Sequence, residues 1–321
     1  MTATTGVREL TATFRSMASD VTVRVVGPRP DAPEAVGAAC AAIRSVAAHL
    51  TRFDAASALS HANARPSAWH LVPAELAEAV EEAERAHRIT DGLFDPRVID
   101  ELLAWGYDRT FDDVTDATRP ARRSPAAPRV PRPWWRPTVL PGSGRRLVHL
   151  GGSAIDLGGI GKGLAVRRAA SALAGAGDSV LVDAGGDEWL GGPGPDGDGW
   201  RIGVENPLGG DDPVLVLCAV DSGCATSSVR RRRWVAPDGT PVHHLVDPRT
   251  GRPGGPGLSA VTVLHPDPAW AEVWSKTLFL AGAVEVEAQA EVRELAAAWV
   301  TDTGTVRVSH AMEPHVLWRA A

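Results

Sequence analysis

The sequence predicts an α+β fold. Two observations carry this. Stretches of period 2 and period 3.6 follow one another in mixed order, and paired strands joined by short turns interleave with the helices. In addition, no unit of 20–50 residues repeats, which sets aside solenoids and propellers. The 321 residues, 44% of them apolar, suffice for a sizeable core. One domain over 1–321 is expected.

The elements follow in order. "SMASDVTVRVVG" (16–27) alternates β-branched residues and predicts a strand. "APEAVGAACAAIRSVAAHL" (32–50) has helical spacing, and 50–64 reads as a polar loop or short turn segment. "VPAELAEAVEEAERAHRIT" (72–90) is an amphipathic helix with Glu81, Glu82 and Glu84 on its wet side. "DGLFDPRVIDELLAWGYD" (91–108) opens on a turn. Residues 115–146, rich in Pro, Arg and Ser, predict a long surface connection with one strand near "WRPTVL". Then come strands at "RLVHLGG" and "SAIDLGG", a helix at "IGKGLAVRRAASALAGAG" and a strand and turn at "SVLVDAGGDEWLGG". Strands with hairpin turns follow through "LSAVTVLHP". "PAWAEVWSKTLFLAGA" and "EVEAQAEVRELAAAW" predict helices, and a "DTG" hairpin and strand close the chain.

Composition narrows function. A net charge of −6 disfavours a non-specific nucleic-acid binder. No stretch reaches 18 apolar residues, so no membrane span is expected. The opening residues carry no apolar leader core, and Cys40, Cys218 and Cys224 form no CxxC pair. Both observations predict a cytoplasmic protein. Positive charge is almost all arginine: Lys162 and Lys276 are the only lysines. A compact ammonium and a planar guanidinium are not interchangeable, which marks both positions for attention.

Lys162 lies in "DLGGIGKG" (156–163). Asp156 stands where a P-loop needs its first Gly, and Gly163 where it needs Ser or Thr. The dinucleotide spacing G-x-G-x-x-G fails as well, at Leu164. What remains is a glycine turn opening a helix, whose amides and dipole favour an anion. A tight turn with a solvated lysine is the plain alternative. "VDAGGD" (182–187) is a second strand ending in two glycines. In "HHLVDPRTG" (243–251) neighbouring histidines of a strand face opposite ways, so at most one lines a given pocket. No HExxH or His/Cys deaminase pattern occurs, which argues against zinc. "RRRRW" (230–234) reads as a solvated edge, or as supplying one arginine to a phosphate. Glu272 and Lys276, four apart, share a helix face and would by themselves read as a surface ion pair.

Taken in order, "SMASDVTV", "TRFDAASALSHAN", "DGLFDP", "AIDLGGIGKG", "VDAGGD", "TSS" followed by Arg, "HHLVDPRTG" and "AEVWSKTLFLAG" resemble the ApbE-like FAD:protein FMN transferase family. The resemblance implies a T-fold-related domain of mixed sheets with packed helices. It implies transfer of FMN from FAD to a Ser or Thr hydroxyl of a target flavoprotein, with release of AMP. By motif position it implies FAD contacts at Met17, Phe53, Ser57, Leu93, Phe94, Asp95, Asp156, Gly158, Gly159, Lys162, Gly185, Gly186, Thr226, His244 and Leu245. Lys162 and Lys276 would stabilise charge, with His244 or Asp247 as base. Magnesium would be held at Gly159, Glu272 and Lys276.

Two of those positions depart from the family pattern. Glu272 replaces an Asp, and Lys276 replaces a metal-ligating Thr, setting a cation where a cation should bind. The sequence therefore predicts that Lys276 takes over part of the metal's work. It also keeps two other activities open: FAD binding without transfer, and hydrolysis of FAD to FMN and AMP.

Overall fold

The computed structural model describes residues 8–109, 132–236 and 238–320. The expected surface connection over 115–146 lies outside the described residues as far as 131.

Strands β1 (Glu9–Ser16) and β2 (Ser19–Val26) form the first hairpin. Helices α1 (Ala32–Leu50) and α2 (Ala58–Ala64), strand β3 (Trp69–Val72), and helices α3 (Ala74–Ile89) and α4 (Ile99–Ala104) come next. Beyond 131 lie β4 (Thr138–Val139), β5 (Arg146–His149), α5 (Gly161–Ala172), β6 (Ser179–Ala184), β7 (Asp187–Gly191), β8 (Trp200–Val204), β9 (Leu215–Ala219) and β10 (Ser222–Ser228). The rest are β11 (Arg233–Val235), β12 (Pro241–His243), β13 (Val246–Asp247), β14 (Arg252–Pro253), β15 (Leu258–His265), α6 (Pro268–Ala281), α7 (Val286–Val292), β16 (Ala296–Thr301), β17 (Val306–Val308) and β18 (Val316–Arg319).

An eight-stranded sheet in the order β1-β2-β6-β7-β10-β15-β16-β17 forms the middle layer. Its neighbouring strands run antiparallel. Strand alternation sends Val21, Val23, Val182, Val261, Val263 and Trp299 into one core with α1, α3, α5 and α6. The intervening Leu190, Cys224, Ala260, Leu264 and Val300 enter a second core under the β18-β9-β8 sheet. The predicted α+β class holds, with helices gathered on one face.

Local expectations fail in four places. The hairpin partner β1 was not expected. Residues 58–64 form α2, whose N-cap Ser57 accepts a hydrogen bond from Ser60 N at 3.0 Å. "SAIDLGG" is not a strand; it runs without ladder pairing into the turn before α5. Residues 296–301 form β16, not a helix tail. Helix propensity is a weak prior, and pairing with β15 plus burial on both faces, Ala297 and Trp299 in one core and Ala298 and Val300 in the other, overrides it.

The contact that seats the site is between α5 and α6. A Cβ on Gly163 would lie 2.5 Å from Ala269 Cα and 2.6 Å from the Pro268 carbonyl oxygen, both backbone atoms that cannot yield. Gly163→Ala should therefore cost about 2–3 kcal/mol, read as a lower urea midpoint. Arginines tie the same layer together. Arg167 bridges Asp267 and Glu82, and Arg168 pairs with Glu78 on α3.

On the other sheet face Glu188 stands opposite Asp183 and Cys224. Burial, with the Asp183 charge adding to it, pushes the Glu188 carboxyl from 4.5 up to about 8. Between those values the folded state holds a proton that the unfolded chain has released. Its stabilising share is complete below about pH 4.5 and fades as pH rises to about 8. Glu188→Gln should thus stabilise the protein at pH 9 by roughly 1–3 kcal/mol and change little at pH 4, allowing for residual solvent access. Paired thermal melts at the two pH values check this.

Candidate active site

Between the helical layer and the β13–α6 region lies a cavity of about 460 Å³. One end is apolar and aromatic, lined by Leu50, Phe53, Leu93, Phe94, Leu102 and Tyr107. The Phe53 and Tyr107 ring centroids are 5.6 Å apart, and Tyr107 lies 5.3 Å from Trp234. The β1–β2 turn closes this end. Met17 and Ala18 both adopt positive φ, 52° and 55°, in a two-residue turn that usually selects Asn-Gly. Two left-handed non-glycine residues at a pocket rim are local strain of the kind that gathers at functional sites.

The opposite end is built on the glycine turn. Asp156 organises it: Oδ1 accepts from Gly158 N at 2.8 Å and Oδ2 from Arg52 Nε at 2.6 Å. The Arg52 guanidinium stacks over Phe53 and Tyr107, and its buried Nη2 finds no partner among the described residues. Helix α5 has no side-chain cap of its own. A carboxylate from α6 substitutes: Glu272 Oε2 accepts from Gly163 N at 2.8 Å, and its Oε1 lies 3.9 Å from Lys162 Nζ.

Lys162 forms an ion pair with buried Asp187 at the start of β7. Burial lowers the Lys162 ammonium to about 8; Glu272 opposes the drop, while Arg232 and Lys276 deepen it. Lys276 is the one residue of α6 that is only half-buried, its side chain lining the cavity with its ammonium desolvated against the glycine turn. Burial of its ammonium also lowers its pKa, against the pull of Glu272 and Asp156. Neither Lys276 nor Arg232, which also lines the cavity, has a carboxylate within 4 Å among the described residues. His244 is held far below its ordinary 6.5 by burial, then by Arg232 and Lys276. Its Nδ1 lies 3.3 Å from the Arg232 carbonyl, which can only accept. The neutral ring therefore donates from Nδ1 and keeps a lone pair on Nε2.

Of the residues expected at the site, Met17, Phe53, Leu93, Phe94, Asp95, Asp156, Gly158, Gly159, Lys162, His244 and Lys276 line this cavity. The others stand off it. Ser57 caps α2, Gly185 and Gly186 turn β6 into β7, and Thr226 bonds Thr262 at 2.9 Å on the sheet. Leu245 is core, 1% exposed. Asp247 does not face the cavity as a base would; it is buried against Arg249, Oδ2 to Nη2 at 3.0 Å. The sequence reading missed Arg52, Tyr107 and Asp187, and did not say which arginine of "RRRRW" would reach a ligand. Arg52 adjoins Phe53 in a quoted motif, Asp187 ends "VDAGGD", and Arg232 is the one "RRRRW" arginine that reaches the cavity.

The implied magnesium does not fit these residues. Among the described residues no group of three or more His, Cys, Asp or Glu is placed to hold a metal. The Lys276 ammonium lies where a Cβ on Gly159 would have to be, against the turn whose carbonyl should ligate. Glu272 is committed to Gly163 and Lys162. A divalent ion at about 4 Å from an ammonium would be repelled by about 8 kcal/mol at an effective dielectric near 20. Gly159, Glu272 and Lys276 therefore do not present a set of ligands for a divalent ion among the described residues.

Comparison with known proteins agrees with this architecture. The curated FAD:protein FMN transferase of Klebsiella pneumoniae (strain 342) is 27% identical over 208 residues, covering 64% of this chain and 58% of that protein. The one from Haemophilus influenzae is 25% identical over 281 residues, covering 84% and 79%. The chain spans about half the length of the Klebsiella relative and of the Escherichia coli ones it also matches. The ApbE protein of Thermotoga maritima superimposes with a TM-score of 0.77 at 25% identity, over 96% of this chain and 99% of that one. The flavinyl transferase ApbE of Pseudomonas stutzeri, at 22% identity, shares the fold with a TM-score of 0.75 over 97% and 98%. A model of the ApbE family matches residues 17–299, which hold every cavity-lining residue and all of the large sheet but β1, β17 and the end of β16, and the chain therefore belongs to the ApbE family.

Proposed function

We propose that this protein transfers FMN from FAD to a Ser or Thr hydroxyl of a target flavoprotein, releasing AMP. One observation carries the reading: an aromatic cavity ends at a glycine turn where Lys162, Lys276 and Arg232 converge. An apolar slot beside a cationic turn suits a molecule with a flat ring at one end and a diphosphate beyond it. The names of the relatives support the same reaction.

In this reading the isoalloxazine packs on Met17, Phe53, Leu93 and Phe94, and Arg52 offers its unpaired Nη2. The diphosphate meets Gly158, Gly159 and the cations. The acceptor oxygen attacks the FMN-side phosphorus and a new P–O bond forms. The bond to the bridging oxygen breaks, and AMP leaves with its electron pair. His244, which lines the cavity with its Nε2 lone pair left free by the Nδ1 bond, takes the hydroxyl proton. Positively charged donors fixed around the diphosphate stabilise the charge that develops on it. The acidic net charge goes with a protein acceptor, not a nucleic acid. The three free thiols go with a reducing, cytoplasmic compartment.

Incubation with FAD and an acceptor flavoprotein domain tests the proposal. Covalent flavin fluorescence on the acceptor, lost when its hydroxyl residue is changed to Ala, is expected together with AMP. FAD bound without AMP release would instead indicate a flavin-binding protein. AMP and free FMN formed without acceptor would indicate a pyrophosphatase.

A further inference from the structure

We infer that this site holds the FAD diphosphate without a divalent metal ion, Lys276 and Arg232 supplying the two positive charges that the dianion needs. The inference rests on the FAD reading above and concerns what neutralises the ligand once it is bound.

Arg52 is matched by Asp156, Lys162 by Asp187 and Glu272, and Asp95 by Arg97, 2.7 Å between Nη2 and Oδ2. Two lining cations have no carboxylate within 4 Å among the described residues, Lys276 and Arg232. A diphosphate diester carries two negative charges near neutral pH. Lys276 and Arg232 match those two charges in number, so the protein arrives with cations of its own in place, and an added divalent ion would be repelled by both.

The position of Lys276 has no structural use that would explain it. Every other residue of α6 is buried, and the helix ends are well made, with Asp267 capping Ala269 N at 2.9 Å and Pro268 in the first turn. An apolar residue at 276 would complete that packing. A lysine loses hydration there and gains no carboxylate within 4 Å among the described residues, only the longer-range pull of Glu272 and Asp156. It is one of two lysines in the chain, and both reach the same turn. Gly159 leaves the space that its ammonium fills. Glu272 shows the same adjustment from the other side. Its carboxylate caps α5 and faces Lys162, so its lone pairs are turned from a metal toward protein donors.

Calorimetric and fluorescence titrations with FAD test this on the full-length protein, in EDTA and in excess magnesium. The dissociation constant should agree between the two buffers within about twofold. Lys276→Met should weaken FAD about tenfold or more in both buffers, the loss typical of a charge-assisted contact, and should leave riboflavin, which has no phosphate, unaffected. The apo variant should melt no lower than the wild type, which separates a lost contact from a lost fold. Lys276→Thr combined with Glu272→Asp should bind FAD more tightly in magnesium than in EDTA. Tight FAD binding by the wild type only in magnesium would overturn the inference and leave the proposed function standing. So would unchanged FAD affinity in Lys276→Met. FAD failing to bind in either buffer would overturn both.

Discussion

Lys162→Met is expected to remove FMN transfer by at least about a hundredfold and to cost about 3–5 kcal/mol of stability. Both effects come from one ammonium. Its partner Asp187 has a side chain only 3% exposed, so the variant strands a carboxylate in the interior. Adding Asp187→Asn removes that stranded charge. The double variant should regain most of the lost stability and none of the transfer, because the cation at the glycine turn is still missing. Urea unfolding and the covalent-flavin assay read the two quantities separately. Transfer restored in the double variant would show that Lys162 serves only to neutralise Asp187. A single variant within about 1 kcal/mol of wild type would show that the pair is not buried as described.

The second large effect is expected at Asp156, which joins the two ends of the cavity. One oxygen holds the glycine turn through Gly158 N, and the other fixes Arg52 against Phe53 and Tyr107. Asp156→Asn keeps the size but removes the charge that orients Arg52. FAD should bind about 10–100-fold more weakly, while stability falls by roughly 1–3 kcal/mol. Pairing the change with Arg52→Met should return the stability, since no guanidinium is then left without its carboxylate. It should not return the affinity. Titration of each variant with FAD beside a thermal melt decides the matter, and affinity within about twofold of wild type in Asp156→Asn would exclude Asp156 as an organiser of the site.

Much of this was legible along the chain, and the failures follow a pattern. Helices α1, α3, α5 and α6 were readable because their apolar residues recur at three and four within a few turns. The segment 296–301 misled because alanine carries little information about its partner; the β15 strand beside it decides the outcome. Strand β1 was hidden because a Met-Ala turn at positive φ is not a turn signal that sequence reading can use. At the site, the glycine turn and both lysines stood out. Arg232 was one of four consecutive arginines, and only the fold chooses which of them faces inward. Asp247 looked like a base beside His244. Its side chain is instead claimed by Arg249 two residues on, a local pairing that the Asp-Pro turn conceals.

The sequence by itself determined the class of the fold, the order of most elements and the motif set that marks the family. These are properties written within runs of ten or twenty residues, where periodicity and glycine spacing act. Only the tertiary structure decided which charges are spent and which are free. Glu272 meets Gly163 across 109 residues, and Lys162 meets Asp187 across a helix and a strand. Lys276 by contrast has no carboxylate within 4 Å among the described residues, although Glu272 lies one turn before it. A helical spacing of four permits that pair, but burial gave Glu272 better partners, since an uncapped helix end and a desolvated Lys162 both bind a carboxylate more strongly than a neighbour that can turn toward the cavity.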